Sequence, residues 1–344
     1  MCGPASAWSI RFNVGPIGTR INIGKSWFRQ AVFLIAAAFA LSPWSSPLVA
    51  IGIGAFLSLV LKNPKPRLGQ RLSEHFLQLS VILLGFDMSV TLVASTMITS
   101  AFWAAATVAG GILLGLLLGK ALGIELRESI LVTAGTAICG GTAIVAVGAS
   151  TQAEEEDITV AIGTVFLLNT AALYLFPLVG HAMHLTEQQF GHWAGFAIHD
   201  VSSVVAAGEA YGQKALQIAV GAKLMRVIWI LPMTWALAKL LSKHAGKYSA
   251  HNQNERKQPK TKVHVPWFIP AFLGACLIRE HVPGMATIGS TFSRCGEAVL
   301  MLTFFLIGTD ISRQTLASLT WRPVTQGIVL WVAISVATLL LATH

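Results

Sequence analysis

The sequence predicts an all-α polytopic membrane protein: one integral membrane domain over residues 1–344, with about 10–11 transmembrane helices, some of them interrupted, in the style of inverted-repeat carriers. Three observations carry this. Residues of the Ala, Val, Ile, Leu, Met, Phe, Trp, Tyr and Cys set make up 54% of the chain and charged residues only 11%. Mean hydropathy is +0.66. The apolar residues fall in long runs rich in Leu, Ala, Val, Ile and Gly. Soluble domains carry about 25% charged residues, so a water-facing surface cannot be built here. Soluble enzymes, disordered chains and coiled coils are excluded. An outer-membrane barrel is excluded too, because its strands alternate apolar and polar residues.

A bilayer core takes about 20 apolar residues per helix. Eleven runs qualify, at roughly 30–42, 47–62, 73–92, 100–122, 129–149, 158–180, 193–208, 215–241, 266–281, 290–309 and 323–343. The first two are short and separated by Pro43 and Pro47, which suits two tilted spans or one interrupted span. Residues 11–42 combine basic residues with an apolar stretch ending in Ala-Phe-Ala, as a signal peptide does. The basic part is long and another span follows, so an uncleaved helix is expected. Residues 242–264 are polar and basic and are expected to form a flexible cytoplasmic loop; contact with anionic lipid is a weaker reading.

Orientation follows from Lys and Arg. With the N-terminus inside, the inner segments hold Arg11, Arg20, Lys25 and Arg29; Lys62, Lys65, Arg67 and Arg71; Lys120 and Arg127; the cluster from Lys243 to Lys262; and Arg313 and Arg322. Only Lys214, Arg279 and Arg294 fall outside. This satisfies the positive-inside rule and places Glu154–Asp157 outside. The net charge of +9 therefore reports topology and not nucleic-acid binding. Cys2, Cys139, Cys276 and Cys295 show no paired spacing, so neither a disulfide nor a metal site is expected.

Two internal similarities stand out. At an offset of 60, Gly135–Gly148 matches Gly195–Gly208 in the frame G-x-A-I-x-x-x-[TS]-x-x-V-A-x-G. At an offset of 223, Arg71, Glu74, Gly85, Asp87 and Ser89 match Arg294, Glu297, Gly308, Asp310 and Ser312. A split into spans 2–6 and 7–11 gives halves of odd helix number, which must be inverted. The matches, however, run in the order A–B–B′–A′, so neither fixes a topology.

The candidate site comes from residues expensive to bury. In the fifth run, Cys139-Gly140-Gly141-Thr142 lies about 15 Å along a helix from residue 129, near the bilayer midplane. Two glycines there weaken the helix, and opened backbone at that depth must line a cavity. A half-helix starting near Thr142 aims free N–H groups at an anion; close packing through small residues is the structural alternative. His199-Asp200 in the seventh run aligns with Cys139-Gly140. Ionisable groups at depth are functional candidates, and this pair suits proton coupling or, failing that, a helix break. Lys223 and Arg226 in the eighth run share a helix face, too deep to snorkel. They call for an anion: a substrate, or Asp200 in an internal salt bridge. Asn169 reads first as a hydrogen-bonding tie between helices. Asp87 and Asp310 lie near span ends, where solvation is the first reading and proton entry the second. Sequences that bind nucleotide phosphates or zinc, or that present a nucleophilic serine on a Gly-x-Ser-x-Gly elbow, are missing. A Cys139/His199 pair has no orienting third group, so no enzyme and no cofactor are expected.

Three stretches resemble the bacterial sulfate exporter family, the YeiH-like membrane proteins: Gly135–Ile144; Glu155-Glu156-Asp157 through Ala161 to Tyr174 and Pro177; and Phe190–Val201 followed by Lys223-Leu-Met-Arg226-Val. The likeness covers most of the chain from about residue 45. It departs at Gly141-Thr142, where family members often have Ala-Ser, and in the basic loop 242–264. The resemblance implies kinship with carriers whose two interrupted helices cross at midplane. It also implies sulfate or an organosulfur anion as cargo, with H⁺ or Na⁺ coupling.

The expectation is thus a multi-pass secondary transporter of the bacterial inner membrane, with its N-terminus cytoplasmic. Its partners are the lipid bilayer, a small anion (Cys139, Gly140, Gly141, Thr142, Lys223, Arg226) and a coupling H⁺ or Na⁺ (His199, Asp200). No nucleic acid is expected, and a homo-oligomer is left open. The alternatives are a sodium-coupled organic-acid carrier and an anion channel.

Overall fold

The computed structural model describes residues 26–42, 44–61, 66–151, 153–229, 267–310 and 319–343, with positions 63, 232, 313 and 317. The basic loop 242–264 lies outside the described residues. Thirteen helices are used below. They are α1 (Ser26–Ala40), α2 (Pro47–Leu61), α3 (Pro66–Gly85), α4 (Val90–Ala121), α5 (Leu126–Ala134), α6 (Gly141–Thr151), α7 (Glu155–Ala182), α8 (Glu187–Ala197), α9 (Val201–Tyr211), α10 (Gln213–Ile228), α11 (Phe268–His281), α12 (Met285–Asp310) and α13 (Trp321–Thr343). Four are long and apolar enough to cross a membrane: α4, α7, α12 from Ile288, and α13. The protein is an all-α polytopic membrane protein, and the two short N-terminal runs are two separate helices.

The fifth and seventh runs are not through-going spans. A Cβ on Gly148 would lie 3.6 Å from Leu131 Cδ2, and one on Gly135 would lie 2.7 Å from Ile144 Cδ1. Residues 17 apart along a straight helix stand about 25 Å apart. So α5 and α6 fold back as a hairpin with its tip at Cys139–Gly140. Likewise the Tyr211 hydroxyl donates to Leu185 O at 2.7 Å, and the Tyr211 and Phe190 rings stack at 3.7 Å. Thus α8 and α9 form a second hairpin with its tip at Ile198–Asp200. The physical reason is the backbone at each tip. Gly140 adopts φ 77°, ψ −133°, and Ile198 and Asp200 are extended, so the chain reverses where a span would continue.

The hairpins enter from opposite faces. At the Lys120 face, Arg322 donates to Gly123 O at 3.2 Å and the Asn63 amide to Thr309 Oγ1 at 3.1 Å. Hairpin 1 begins and ends here. At the Ser89 face, Ser89 N donates to Gln217 Oε1 at 3.4 Å and Thr91 to Glu280 at 3.2 Å. Hairpin 2 is anchored here by Glu187, whose carboxylate accepts from Lys214 N at 2.8 Å and Ala215 N at 3.1 Å. Glu154–Asp157 therefore lies on the Lys120 face, not opposite it.

The helices pack as two bundles. One holds α1, α2, α3, α11 and α12; the other holds α4, α7, α10, α13 and both hairpins. In the first, a Cβ on Gly308 would strike Ile51 O, and one on Gly85 would lie 3.0 Å from Phe272 O. So α12 rests on α2 as α3 rests on α11, backbone against backbone, as small residues permit in lipid. In the second, α4 packs on α5 and α10, and α13 packs on α8 and α7. Every element of the first half after α1 thus has an inverted mate: α2 with α11, α3 with α12, α4 with α13, hairpin 1 with hairpin 2, and α7 with α10. The second half runs in permuted order, hairpin and α10 first. This accounts for the A–B–B′–A′ order of the sequence matches.

Candidate functional site

The two hairpin tips meet in the middle of the second bundle. After α5, a single π turn (Gly135–Cys139) ends at Gly140, whose N–H returns to Gly135 O at 2.9 Å. A left-handed φ suits glycine alone without strain. A Cβ there would also lie 3.3 Å from the Asp200 Cβ. The opposite tip is braced by Asn169 of α7. Its Oδ1 accepts from His199 N at 3.2 Å, and its Nδ2 donates to Asp200 Oδ2 at 3.1 Å. The other carboxylate oxygen of Asp200 caps α9 by accepting from Ser203 N at 2.6 Å. Asn169, read from sequence as a tie between helices, is thus part of the site. A lone amide in an otherwise apolar run was the signal for it.

Lys223 and Arg226 of α10 are both 0% exposed. Their partners are main-chain carbonyl oxygens. Lys223 Nζ donates to Ile198 O at 2.6 Å. Arg226 donates to Ala137 O through Nε at 3.0 Å and through its second terminal nitrogen at 2.6 Å. It also donates to Thr136 O at 3.1 Å and to Phe196 O. These carbonyls terminate the first arms of the two hairpins, and a helix C-terminus carries about half a negative charge. Thr136 and Phe196 are equivalent under the offset of 60. One guanidinium therefore ties both tips at matching points. The salt bridge between Asp200 and these cations, one of the two sequence readings, is replaced by caps: Asp200 on α9, the cations on the carbonyls.

The remaining residues sort by place. Cys139 is buried and its sulfur lies 3.1 Å from Thr142 Oγ1. Gly141 is half-buried, with open space where a Cβ would project, and Thr142 is exposed. The N-terminus of α6 is thus the accessible edge of the crossing. His199 is 0% exposed, neither ring nitrogen has a hydrogen-bond partner, and its ring lies 6.1 Å from that of Trp331. The Thr136 hydroxyl is also buried without a partner. Asp87 and Asp310 are not brought here. Both sit at helix ends of the first bundle.

Comparison with other proteins places the chain. The family described as Conserved hypothetical protein 698 matches residues 29–327. A UPF0324 membrane protein of Bacteroides thetaiotaomicron is 37% identical over 302 residues, 87% of each chain. Another, from Bdellovibrio bacteriovorus, is 36% identical over 318 residues, covering 92% of this chain and 95% of its own. The chain belongs to the UPF0324 membrane protein family. A third relative, from Geobacter sulfurreducens, is 38% identical over 311 residues, 90% of this chain and 95% of its own. These names state a membrane protein and no substrate. No solved structure matches the chain. The family match at residues 29–327 takes in both hairpins and α10, so the whole crossing lies within it.

Proposed function

We propose that this chain is a secondary transporter, not an enzyme, that moves a small anion across the bacterial inner membrane. The cargo is sulfate or a sulfonate-like organosulfur anion, coupled to H⁺ or Na⁺. One observation carries the reading: two fully buried basic side chains stand where two opposed hairpin tips meet, and among the described residues only one carboxylate, Asp200, stands with them. Uncompensated charge at membrane depth is expensive and marks a substrate or ion path. Lys223 uses one Nζ hydrogen bond to Ile198 O and keeps the rest of its donor capacity; it is the anion's counter-charge. The amide end of α6, at Gly140, Gly141 and Thr142 beside Cys139, supplies hydrogen bonds from the accessible side. Arg226 holds the tips and adds to the positive field. His199 and Asp200 couple protons. The N-terminus is cytoplasmic, on the Lys- and Arg-rich side.

Two bundles of inverted design suit alternating access by rocking of one against the other. The bundle that contains both hairpins carries the site.

The test is uptake of labelled sulfate or a sulfonate by purified protein in proteoliposomes. Lys223→Ala is expected to abolish it, and Lys223→Ala with Arg226→Ala likewise, with folding monitored by thermal melting. Undiminished uptake by a folded Lys223→Ala protein overturns the reading. Dependence on Na⁺ without dependence on pH moves it to a sodium-coupled organic-acid carrier. Conductance without coupling moves it to an anion channel.

A further inference from the structure

The charge at the crossing does not close, and the size of the remainder selects among anions. We infer that the site takes a singly charged tetrahedral oxyanion, of the sulfonate or hydrogen-sulfite kind, in preference to a dianion such as sulfate. The inference rests on the anion-carrier reading above and narrows its substrate class.

Among the described residues, the charged side chains that act on Lys223 are Arg226 and Asp200. The remaining neighbour there, Cys139, is a thiol bonded to the Thr142 hydroxyl. Both oxygens of the Asp200 carboxylate accept from N–H donors, Ser203 N and Asn169 Nδ2, which is the acceptor-only role of the ionised form. Lys223 and Arg226 donate only to carbonyl oxygens. With Lys223 protonated, the side chains leave one net positive charge.

The helix ends do not change that count. The first arms of the hairpins present two C-termini at the crossing, each worth about half a negative charge, and α6 and α9 present two N-termini, each worth about half a positive charge. The four ends cancel. One end is already served: the α9 N-terminus has its own anion, Asp200, at N-cap. The equivalent position on α6 under the offset of 60 is Gly140, which has no side chain, followed by the open Gly141. A bound oxygen at α6 repeats what the Asp200 carboxylate does at α9.

A single negative charge closes the site. A dianion overshoots by one and leaves buried negative charge with no further cation beside it among the described residues, the situation low dielectric punishes most. Methanesulfonate and sulfate share tetrahedral shape and near-equal size, so a difference between them reports charge.

The experiment measures protection of the purified protein against thermal unfolding by methanesulfonate and by sulfate at matched ionic strength, then repeats it with Asp200→Asn. A ligand that binds only the folded form raises the melting point as its concentration passes Kd. Methanesulfonate is expected to bind wild type at least tenfold more tightly than sulfate. Asparagine is as good an N-cap as aspartate, so Asp200→Asn keeps the cap while raising the remainder to two. It is expected to shift the ratio at least tenfold toward sulfate. Should Asp200→Asn fail to fold, Lys223→Gln serves: it brings the remainder to zero and is expected to lose both anions. Sulfate binding wild type as tightly as methanesulfonate, or more tightly, overturns the charge inference and leaves the carrier reading standing. Neither anion binding or being transported by wild type overturns the carrier reading itself.

Discussion

A Cβ placed on Gly140 would lie 3.3 Å from the Cβ of Asp200, so the two hairpins touch at a point where one of them has no side chain. The point is doubly constrained, because Gly140 also adopts φ 77°, ψ −133°. Gly140→Ala is therefore expected to destabilise the protein by about 1–3 kcal/mol from backbone strain alone. Anion transport should fall further than stability does, because the tips are pushed apart. Thermal melting and proteoliposome uptake on the same preparation check this. A Gly140→Ala protein with wild-type melting and wild-type uptake contradicts it.

Arg226 makes a sharper case, since one side chain serves both hairpins. Arg226→Gln strips charge-assisted donors from the carbonyls of Thr136, Ala137 and Phe196. Losing two or more such bonds is expected to cost about 3–5 kcal/mol. Arg226→Lys restores the charge but not the planar fork that spans the two hairpins, so its melting point should fall between those of wild type and Arg226→Gln. Were lysine to restore full stability, charge alone would matter and the tie between the tips would not.

How much of this was legible beforehand depends on the feature. Membrane residence was plain from composition. So was the burial of Lys223 and Arg226, because neither lies near the end of its apolar run. The pairing of the tips was visible too: the offset of 60 that aligns Cys139-Gly140 with His199-Asp200 aligns the two turns. The turns themselves were not legible. An apolar run such as 129–149 satisfies a bilayer equally well as one span or as two arms of a hairpin. The positive-inside rule could not correct the count. Folding back two runs removes two crossings, so every Lys- and Arg-bearing loop keeps its side. Only the segments 150–157 and 181–192 change sides, and they contain no Lys or Arg. The carbonyl partners of Lys223 and Arg226 were out of reach for a different reason. They are main-chain atoms, exposed only because the helices stop, and no residue type announces them.

Asn169 provides a test of the brace on hairpin 2. It spans His199 N and Asp200 Oδ2 with one amide. Asn169→Ala removes two hydrogen bonds, each worth about 1 kcal/mol, so a melting-point decrease corresponding to about 2 kcal/mol is expected. Because the same amide orients Asp200, the variant should also change the dependence of transport on the coupling ion, which a purely structural tie would not. Uptake measured across pH and Na⁺ concentration separates the two.

The hairpin topology makes a prediction about access that differs from the through-span count at two segments. Glu155 follows hairpin 1, whose entry at Leu126 lies near Lys120, so both should be reached from one side of the membrane. Glu187 opens hairpin 2 beside Lys214, with its carboxylate on Lys214 N, so both should be reached from the other side. Single cysteines placed at 120, 155, 187 and 214, in a chain whose native cysteines are replaced, read this out with a membrane-impermeant thiol reagent. The expected pattern is 120 with 155 on one side, and 187 with 214 on the other. Two through-going spans would instead put 155 with 214 and 187 with 120. The four positions decide between the alternatives without reference to substrate. If the second pattern appears, Gly140 and Asp200 cannot be hairpin tips, and the charge closure argued for Lys223 and Arg226 loses its geometry.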